Sequence, residues 1–194
     1  AVADVNGDAL EDIFIAGNVT KANVFYIQKE NQSFDSQELV ESKVGAENAG
    51  SLLFDADGDG DNDLYLAKGN GQLAAEDKGY QDVLYLNDGK GNFELSQDAL
   101  PQLPSNSSCV KAADFDGDGD LDLFVGGSVK PSSYPYADQS YLLRDDSKDG
   151  QAKFTNVTEQ VFLQTEDFGI VSDALWTDFN GDFLPDLIIA SKWR

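Results

Sequence analysis

Carboxylates recur in this chain at a spacing that suits one kind of chemistry. In the stretch Asp114-Phe-Asp-Gly-Asp-Gly-Asp-Leu-Asp122, acidic side chains alternate with small or apolar residues, and the run Leu123-Phe-Val125 follows at once. Negative charges this close repel one another unless a cation sits among them. The hard cation that takes six to eight oxygens in flexible geometry is Ca²⁺, whose loops begin with acidic residues at positions 1, 3 and 5. The spacing predicts a calcium loop.

The same nine positions recur from Asp4 to Asp12, from Asp55 to Asp63 and from Asp178 to Asp186. Position 1 is Asp4, Asp55, Asp114 or Asp178; position 3 is Asn6, Asp57, Asp116 or Asn180. Position 5 is Asp8, Asp59, Asp118 or Asp182, and position 9 is Asp12, Asp63, Asp122 or Asp186. These side chains are the candidate ligands of up to four Ca²⁺ ions. The position 7 carbonyls of Leu10, Asp61, Asp120 and Leu184 add one oxygen each. Position 4 is always glycine, which permits the tight turn. Loops one and four carry Ala9 and Phe183 at position 6, where the other two have glycine, so weaker or distorted sites are expected there. An EF-hand would place a bidentate Glu at position 12 and helices on either side. Those positions are Ile15, Leu66, Val125 and Ile189, all within apolar runs, which excludes it.

Of 194 residues, 41% are hydrophobic and 11% aromatic, which is ordinary for a globular protein and excludes disorder. The formal charge of −23 follows largely from the loops; four divalent cations would add eight positive charges and still leave −15. That balance disfavours nucleic acid and anionic membrane as partners, since both call for basic patches. No apolar run approaches the roughly 18 residues of a membrane span. The single cysteine, Cys109, can form no intrachain disulfide and reads as a small buried residue. Histidine is absent, which removes the commonest general base and excludes Ser/His/Asp and Cys/His catalytic sets. The chain contains no Met and opens inside the first motif, as expected of a piece of something longer.

The loops must be held by strands. Their starts at 4, 55, 114 and 178 are separated by 51, 59 and 64 residues, a period of propeller blades or solenoid units. Each interval reads as short β segments between turn residues, with no sustained helical period. Four strands per repeat fit a propeller blade, with the loop joining strands 1 and 2. The third repeat predicts strands at 109–115, 121–126, 140–144 and 152–157; the second, at 51–54, 63–67, 83–87 and 93–95. The first predicts strands at 12–16, 24–28 and 33–40 with a remnant at 1–3, and the fourth at 171–177 and 186–191. The expected fold is all-β: a partial propeller of about three and a half four-stranded antiparallel blades. It forms one domain, with repeats at 1–45, 46–104, 105–166 and 167–194. An open sheet edge is expected at either end.

The motif D-x-D/N-G-D-x-x-x-D before an apolar strand resembles the FG-GAP/VCBS repeat of integrin α-subunit propellers. Further matches are Leu84-Tyr-Leu-Asn-Asp-Gly-Lys-Gly-Asn-Phe93, Gly126-Gly-Ser-Val-Lys-Pro131 with Tyr134-Pro135, Ser140-Tyr-Leu-Leu-Arg144, Phe154-Thr-Asn-Val-Thr-Glu159 and Ile189-Ala-Ser-Lys-Trp193. Together they are similar to secreted bacterial VCBS proteins related to the cartilage acidic protein (ASPIC/UnbV) group. The resemblance implies Ca²⁺ at the loop positions named above and a propeller of roughly six to eight blades, of which this chain is about half.

A binding or adhesion module of a secreted or cell-surface protein is the leading functional expectation, with a protein or glycan as ligand and the remaining blades of a parent chain as neighbours. In a four-stranded meander the 1–2 and 3–4 turns share one face, and the 2–3 connections lie on the other. The 2–3 connections carry Tyr80, Lys130, Tyr134 and Tyr136, the candidate contact residues. Alternatives are a propeller domain of a polysaccharide-active enzyme and a spacer in a surface adhesin; no catalytic role is expected. Asn18, Asn31, Asn106 and Asn156 begin N-x-S/T triplets, which an Asn- and Ser-rich chain produces by accident.

Overall fold

The computed structural model describes residues 1–18, 20–39, 45–162 and 168–192. Val40, expected to end a strand, Trp193, and the expected repeat boundary at 166 and 167 lie outside the described residues, as does Val19 of the first N-x-S/T triplet.

Runs of β-branched and aromatic residues between turn residues form strands throughout. The first blade is a meander of β1 (Val2–Ala3), β2 (Asp12–Ile15), β3 (Asn23–Gln28) and β4 (Phe34–Leu39). The second contains β5 (Glu47–Phe54), β6 (Asp63–Gly69), β7 (Val83–Asn87) and β8 (Phe93–Ser96). The third contains β9 (Ser107–Ala113), β10 (Asp122–Gly127), β11 (Tyr141–Asp145) and β12 (Phe154–Asn156). The fourth has β13 (Ile170–Thr177) paired with β14 (Asp186–Lys192). All these pairings are antiparallel. The fold is a partial β-propeller, and the predicted strands agree with the observed ones to within a few residues at their ends.

Two features were not anticipated. One turn of helix, α1 (Thr158–Val161), follows β12. Blades two and three are also joined by one parallel pair, Gly69 with Ser107, which merges them into an eight-stranded sheet. This pairing starts β9 two residues before its predicted start. Gly69 is required there, because a side chain would collide with the Ser107 carbonyl.

Side-chain alternation between two covered faces explains why the second strands of blades two and three read as continuously apolar. In β6, Leu64 and Leu66 pack toward Phe14, Phe25 and Ile27 of blade one. Tyr65 and Ala67 face the other way, toward Val110, Leu123 and Val125 of blade three. Strand β10 repeats this, with Leu123 and Val125 against blade two and Phe124 against Val171 and Ala174 of blade four. Burying each large side chain contributes about 1.5–3 kcal/mol, so the inter-blade layers hold the blades in register. At β14 only one face is covered: Leu187 and Ile189 pack toward blade three, while Ile188 is 43% exposed.

Leu64→Ala should therefore lower unfolding free energy by about 2–5 kcal/mol in a urea titration, and Ile188→Ala by clearly less. Equal losses would show that β6 is not sandwiched between two blades.

Candidate functional site

All four loops close in a single register. The residue before position 1 pairs with position 9 each time: Ala3 with Asp12, Phe54 with Asp63, Ala113 with Asp122, Thr177 with Asp186. Inside the loop, the position 1 carboxylate accepts the backbone N–H groups of positions 4 and 6. For Asp55 these are Gly58 N at 2.8 Å and Gly60 N at 3.0 Å, and Asp4, Asp114 and Asp178 accept in the same way. The position 5 carboxylates of Asp8, Asp59, Asp118 and Asp182 each accept the N–H of position 7. These bonds require a left-handed backbone at position 4, where Gly7, Gly58, Gly117 and Gly181 have φ between 75° and 79°. Position 6 is left-handed too, at a smaller φ in loops one and four than in loops two and three. Ala9 (φ 65°) and Phe183 (φ 69°) keep the same N–H bonds to position 1 as Gly60 and Gly119 do.

The position 9 aspartate links the loop to the third strand of its blade. Asp63 accepts Ala56 N and Asn87 N, each at 2.8 Å. Asp12 accepts Val5 N and Gln28 N, and Asp122 accepts Phe115 N and Asp145 N. The register is the same in all three blades: Ile13 pairs with Tyr26, Leu64 with Tyr85 and Leu123 with Leu143, which brings the residue two further on to the carboxylate. Asp186 has the loop partners Phe179 N and Asn180 N.

Loops two and three each gather three carboxylates. Oxygens of Asp55, Asp57 and Asp63 lie within 4.8 Å of one another, and so do those of Asp114, Asp116 and Asp122. The carboxylates of Asp59, Asp61, Asp118 and Asp120 are not part of these sets. In loops one and four, Asn6 and Asn180 stand at position 3 and donate their amides to Asp8 and Asp182. Burial pushes Asp63 up to about 7 against the pull of its two N–H donors, and the charges of Asp57 and Asp59 add to the rise. Asp122 is raised to about 6 for the same reason, with Asp116 and Asp118 contributing. Asp57 is raised by partial burial and then by Asp59 and Asp55. Asp4 is raised by burial but lowered more by the N–H groups of Ala9, Gly7, Asn6 and Asp8, and ends below the usual carboxylate range. Two converging, mutually repelling, all-oxygen sets could each hold a metal ion.

The 1–2 loops and 3–4 turns do share a face. Ser147 Oγ donates to Ala56 O at 2.9 Å, Asn87 Nδ2 to Val5 O at 2.8 Å and Asn62 Nδ2 to Asp4 O at 3.0 Å, so each contact joins neighbouring blades. A cleft of about 490 Å³ lies between loops two and three and the 145–150 turn.

On the opposite face the candidate contact residues separate. Tyr134 and Tyr136 are 65% and 72% exposed, and Lys130 forms a 3.9 Å ion pair with Glu76. Tyr80 does not belong with them. It is 1% exposed, with its hydroxyl accepting from Leu73 N and donating to Leu73 O, so it closes the base of its own loop. Asn106 is also buried; its amide nitrogen donates to Val129 O while its oxygen accepts Gly71 N, which ties the two 2–3 connections together and leaves no free amide to modify. A junction that the sequence reading missed centres on Asp82, which accepts from Tyr65 OH, Lys68 N and Ser107 Oγ and which burial raises to about 7. An acidic residue directly before an apolar strand was its only signal.

The sequence profile of the FG-GAP-like repeat matches residues 4–66 and, in a second copy, 55–125. The chain belongs to the FG-GAP-like repeat family. No curated protein matches it.

The raised carboxylates set a pH dependence. Asp63 and Asp122 bind their protons more tightly folded than unfolded, so in chelator their contribution to stability is complete below about pH 4 and lost as pH rises through about 6 and 7. Asp4, Asp88 and Asp173 are held low and act oppositely, below pH 4. In chelator, Tm should fall between pH 5 and 8, and Asp63→Asn should flatten the slope. A Tm that rises over that interval would contradict this account of the site.

Proposed function

We propose that this chain is a calcium-stabilised propeller segment of a secreted or cell-surface protein and works as a binding or adhesion module. The observation that carries the reading is the pair of convergent sets Asp55/Asp57/Asp63 and Asp114/Asp116/Asp122. Their donors are all oxygen, which suits a hard cation, and Ca²⁺ tolerates the irregular geometry of a loop better than Mg²⁺ does. Calcium there would offset the burial that raises Asp57 and Asp122 and the repulsion from neighbouring carboxylates that adds to it. It would be held by positions 1, 3, 5 and 9 with the position 7 carbonyl, and would join strands 1 and 2 of each blade. Loops one and four keep the same backbone and have an amide oxygen at position 3. They are the third and fourth sites of this reading.

Recognition is assigned to the other face, where Tyr134 and Tyr136 stand exposed on a loop anchored by Lys130 N to Tyr136 O and by Asn106. Rigid aromatic side chains on an ordered loop suit contact with a protein or glycan. The strong negative charge favours neither nucleic acid nor an anionic membrane, and further blades of a parent chain are natural neighbours for the open face of β14.

Two mutant sets test the two halves of this reading. Asp116→Ala should weaken one calcium site in calorimetry and lower stability by about 1.4 kcal/mol when calcium is tenfold above Kd, with little change in excess chelator. Equal loss with and without calcium would mean that Asp116 is not a ligand. Tyr134→Ala with Tyr136→Ala should reduce binding to arrayed glycans and extracellular proteins while Tm stays within a degree or so. If the tyrosine pair has no effect and Asp63→Ala abolishes binding without loss of stability, the metal loops themselves form the contact.

A further inference from the structure

The space between neighbouring 1–2 loops is closed at one blade junction and open at the next. Between loops one and two, the 3–4 turn of blade two, residues 87–92, lies tight against both. A Cβ built on Gly89 would collide with the Asp61 carboxylate, and one on Gly7 would press on Gly89 O. The amide nitrogen of Asn87 completes the closure by donating to Val5 O at 2.8 Å and to Asn62 O at 3.2 Å, one carbonyl from each loop.

Between loops two and three, the 145–150 turn stands off and leaves the cleft of about 490 Å³. A Cβ on Gly58, Gly119 or Gly150, all of which line it, meets nothing within 4 Å. Its walls come from the loops on both sides and from the turn of blade three itself, so the cleft is complete within this chain.

The residue in the place of Asn87 is Asp145. The two share a register, two residues beyond the pairs Leu64–Tyr85 and Leu123–Leu143, and each gives its backbone N–H to a position 9 aspartate. Asp145 is 4% exposed and lines the cleft, but an ionised carboxylate only accepts, so the nitrogen that blade two supplies is missing here. Ser147 compensates in part. Its hydroxyl donates to Ala56 O at 2.9 Å, where Asn87 reaches Val5 O, but its one proton must serve both Ala56 O and Asp145. That leaves the Ser147 N–H, at 2.7 Å, as the lasting donor to Asp145. A buried carboxylate so short of donors is costly unless a positive charge reaches it.

The surroundings select that charge. Asp55, Asp57, Asp120 and Asp149 line the same cleft, and Lys148, also on its wall, forms an ion pair with none of them among the described residues. Asp120, Asp145 and Asp149 belong to neither convergent metal set, so their carboxylates stay available whether or not the loops hold an ion. The space is also larger than a single ion needs and has room for a side chain. We propose that the cleft between loops two and three receives a cationic side chain, lysine or arginine, of a partner protein, whose nitrogen takes the role that the Asn87 amide plays one blade earlier. This site is separate from Tyr134 and Tyr136, which lie on the opposite face.

The test uses the 194-residue chain at fixed calcium and ionic strength. The probes are the capped peptide Gly-Gly-Lys-Gly-Gly, its arginine counterpart and its acetyl-lysine form, followed by backbone amide shifts in NMR titrations. The lysine and arginine peptides should shift the amides of Leu121, Asp145 and Gly150, and the neutral acetyl-lysine peptide should not. Asp145→Asn restores the residue type of blade two, so it should keep the native Tm while weakening the lysine peptide roughly three- to ten-fold. Asp98→Asn removes one exposed charge away from the cleft and should change affinity less than about two-fold. Asp149→Asn, at an exposed left-handed position that asparagine also accepts, is a second variant with the same expected direction should the first disturb the fold. Equal affinity of the native chain and both cleft variants overturns the proposal, as does equal weakening by Asp98→Asn or equal binding of the acetyl-lysine peptide. Loss of one bound calcium from Asp145→Asn in calorimetry would also overturn it, in favour of a metal site.

Discussion

Three buried carboxylates, those of Asp12, Asp63 and Asp122, are each shared between the backbone of a 1–2 loop and the backbone of a third strand. An ionised carboxylate out of water needs such donors, and two N–H groups per aspartate supply only part of what the solvent gave it. Burial still wins, which is why Asp63 and Asp122 remain hard to ionise. A cation among the carboxylates of loop two or three could stabilise Asp63 and Asp122 as anions, which would couple ion affinity to the loop and its strand pairing. Asp4, at position 1, shows the opposite balance, since it takes enough backbone N–H groups to be held low. Each loop thus shapes its own backbone through its position 1 carboxylate.

How much of this was legible depended on whether side chains or backbone carried the information. The loops were legible because Asp and Asn recur at fixed intervals, and because a left-handed turn at Gly7, Gly58, Gly117 and Gly181 calls for glycine. The second strands were legible because both faces of β6 and β10 are covered, which removes polar alternation. The contribution of Gln28, Asn87 and Asp145 was not legible, because each gives the position 9 carboxylate a backbone N–H that any residue but proline could supply. Tyr80 misled for a related reason. A loop tyrosine is exposed or buried according to how the loop folds back, and the Leu73 backbone that receives its hydroxyl has no signature. At Ala9 and Phe183 the loop keeps its N–H bonds to position 1 while a non-glycine residue takes a left-handed backbone.

The inter-blade layers divide labour by polarity. Apolar side chains fill the space between sheets, while the rims are joined by directional bonds: Ser147, Asn87 and Asn62 on the metal-loop face, Asn106 and Asp82 on the other. Hydrophobic contact alone would let neighbouring sheets slide. Bonds at both rims fix the relative height of adjacent blades, and so set the spacing of the metal loops.

The parallel pair between Gly69 and Ser107 makes these interfaces unequal. Blades two and three share one continuous sheet, reinforced where Ser107 donates to Asp82, whereas blades one and four meet their neighbours as separate sheets. Sub-global opening should follow that seam pattern, with the two central blades behaving as one cooperative foldon. Amides in β6 and β10 would then share a common exchange free energy close to that of global unfolding, and those of β2 and β14 would exchange through smaller, independent openings. An ion held by the carboxylates of loop two or three would be felt across that whole unit.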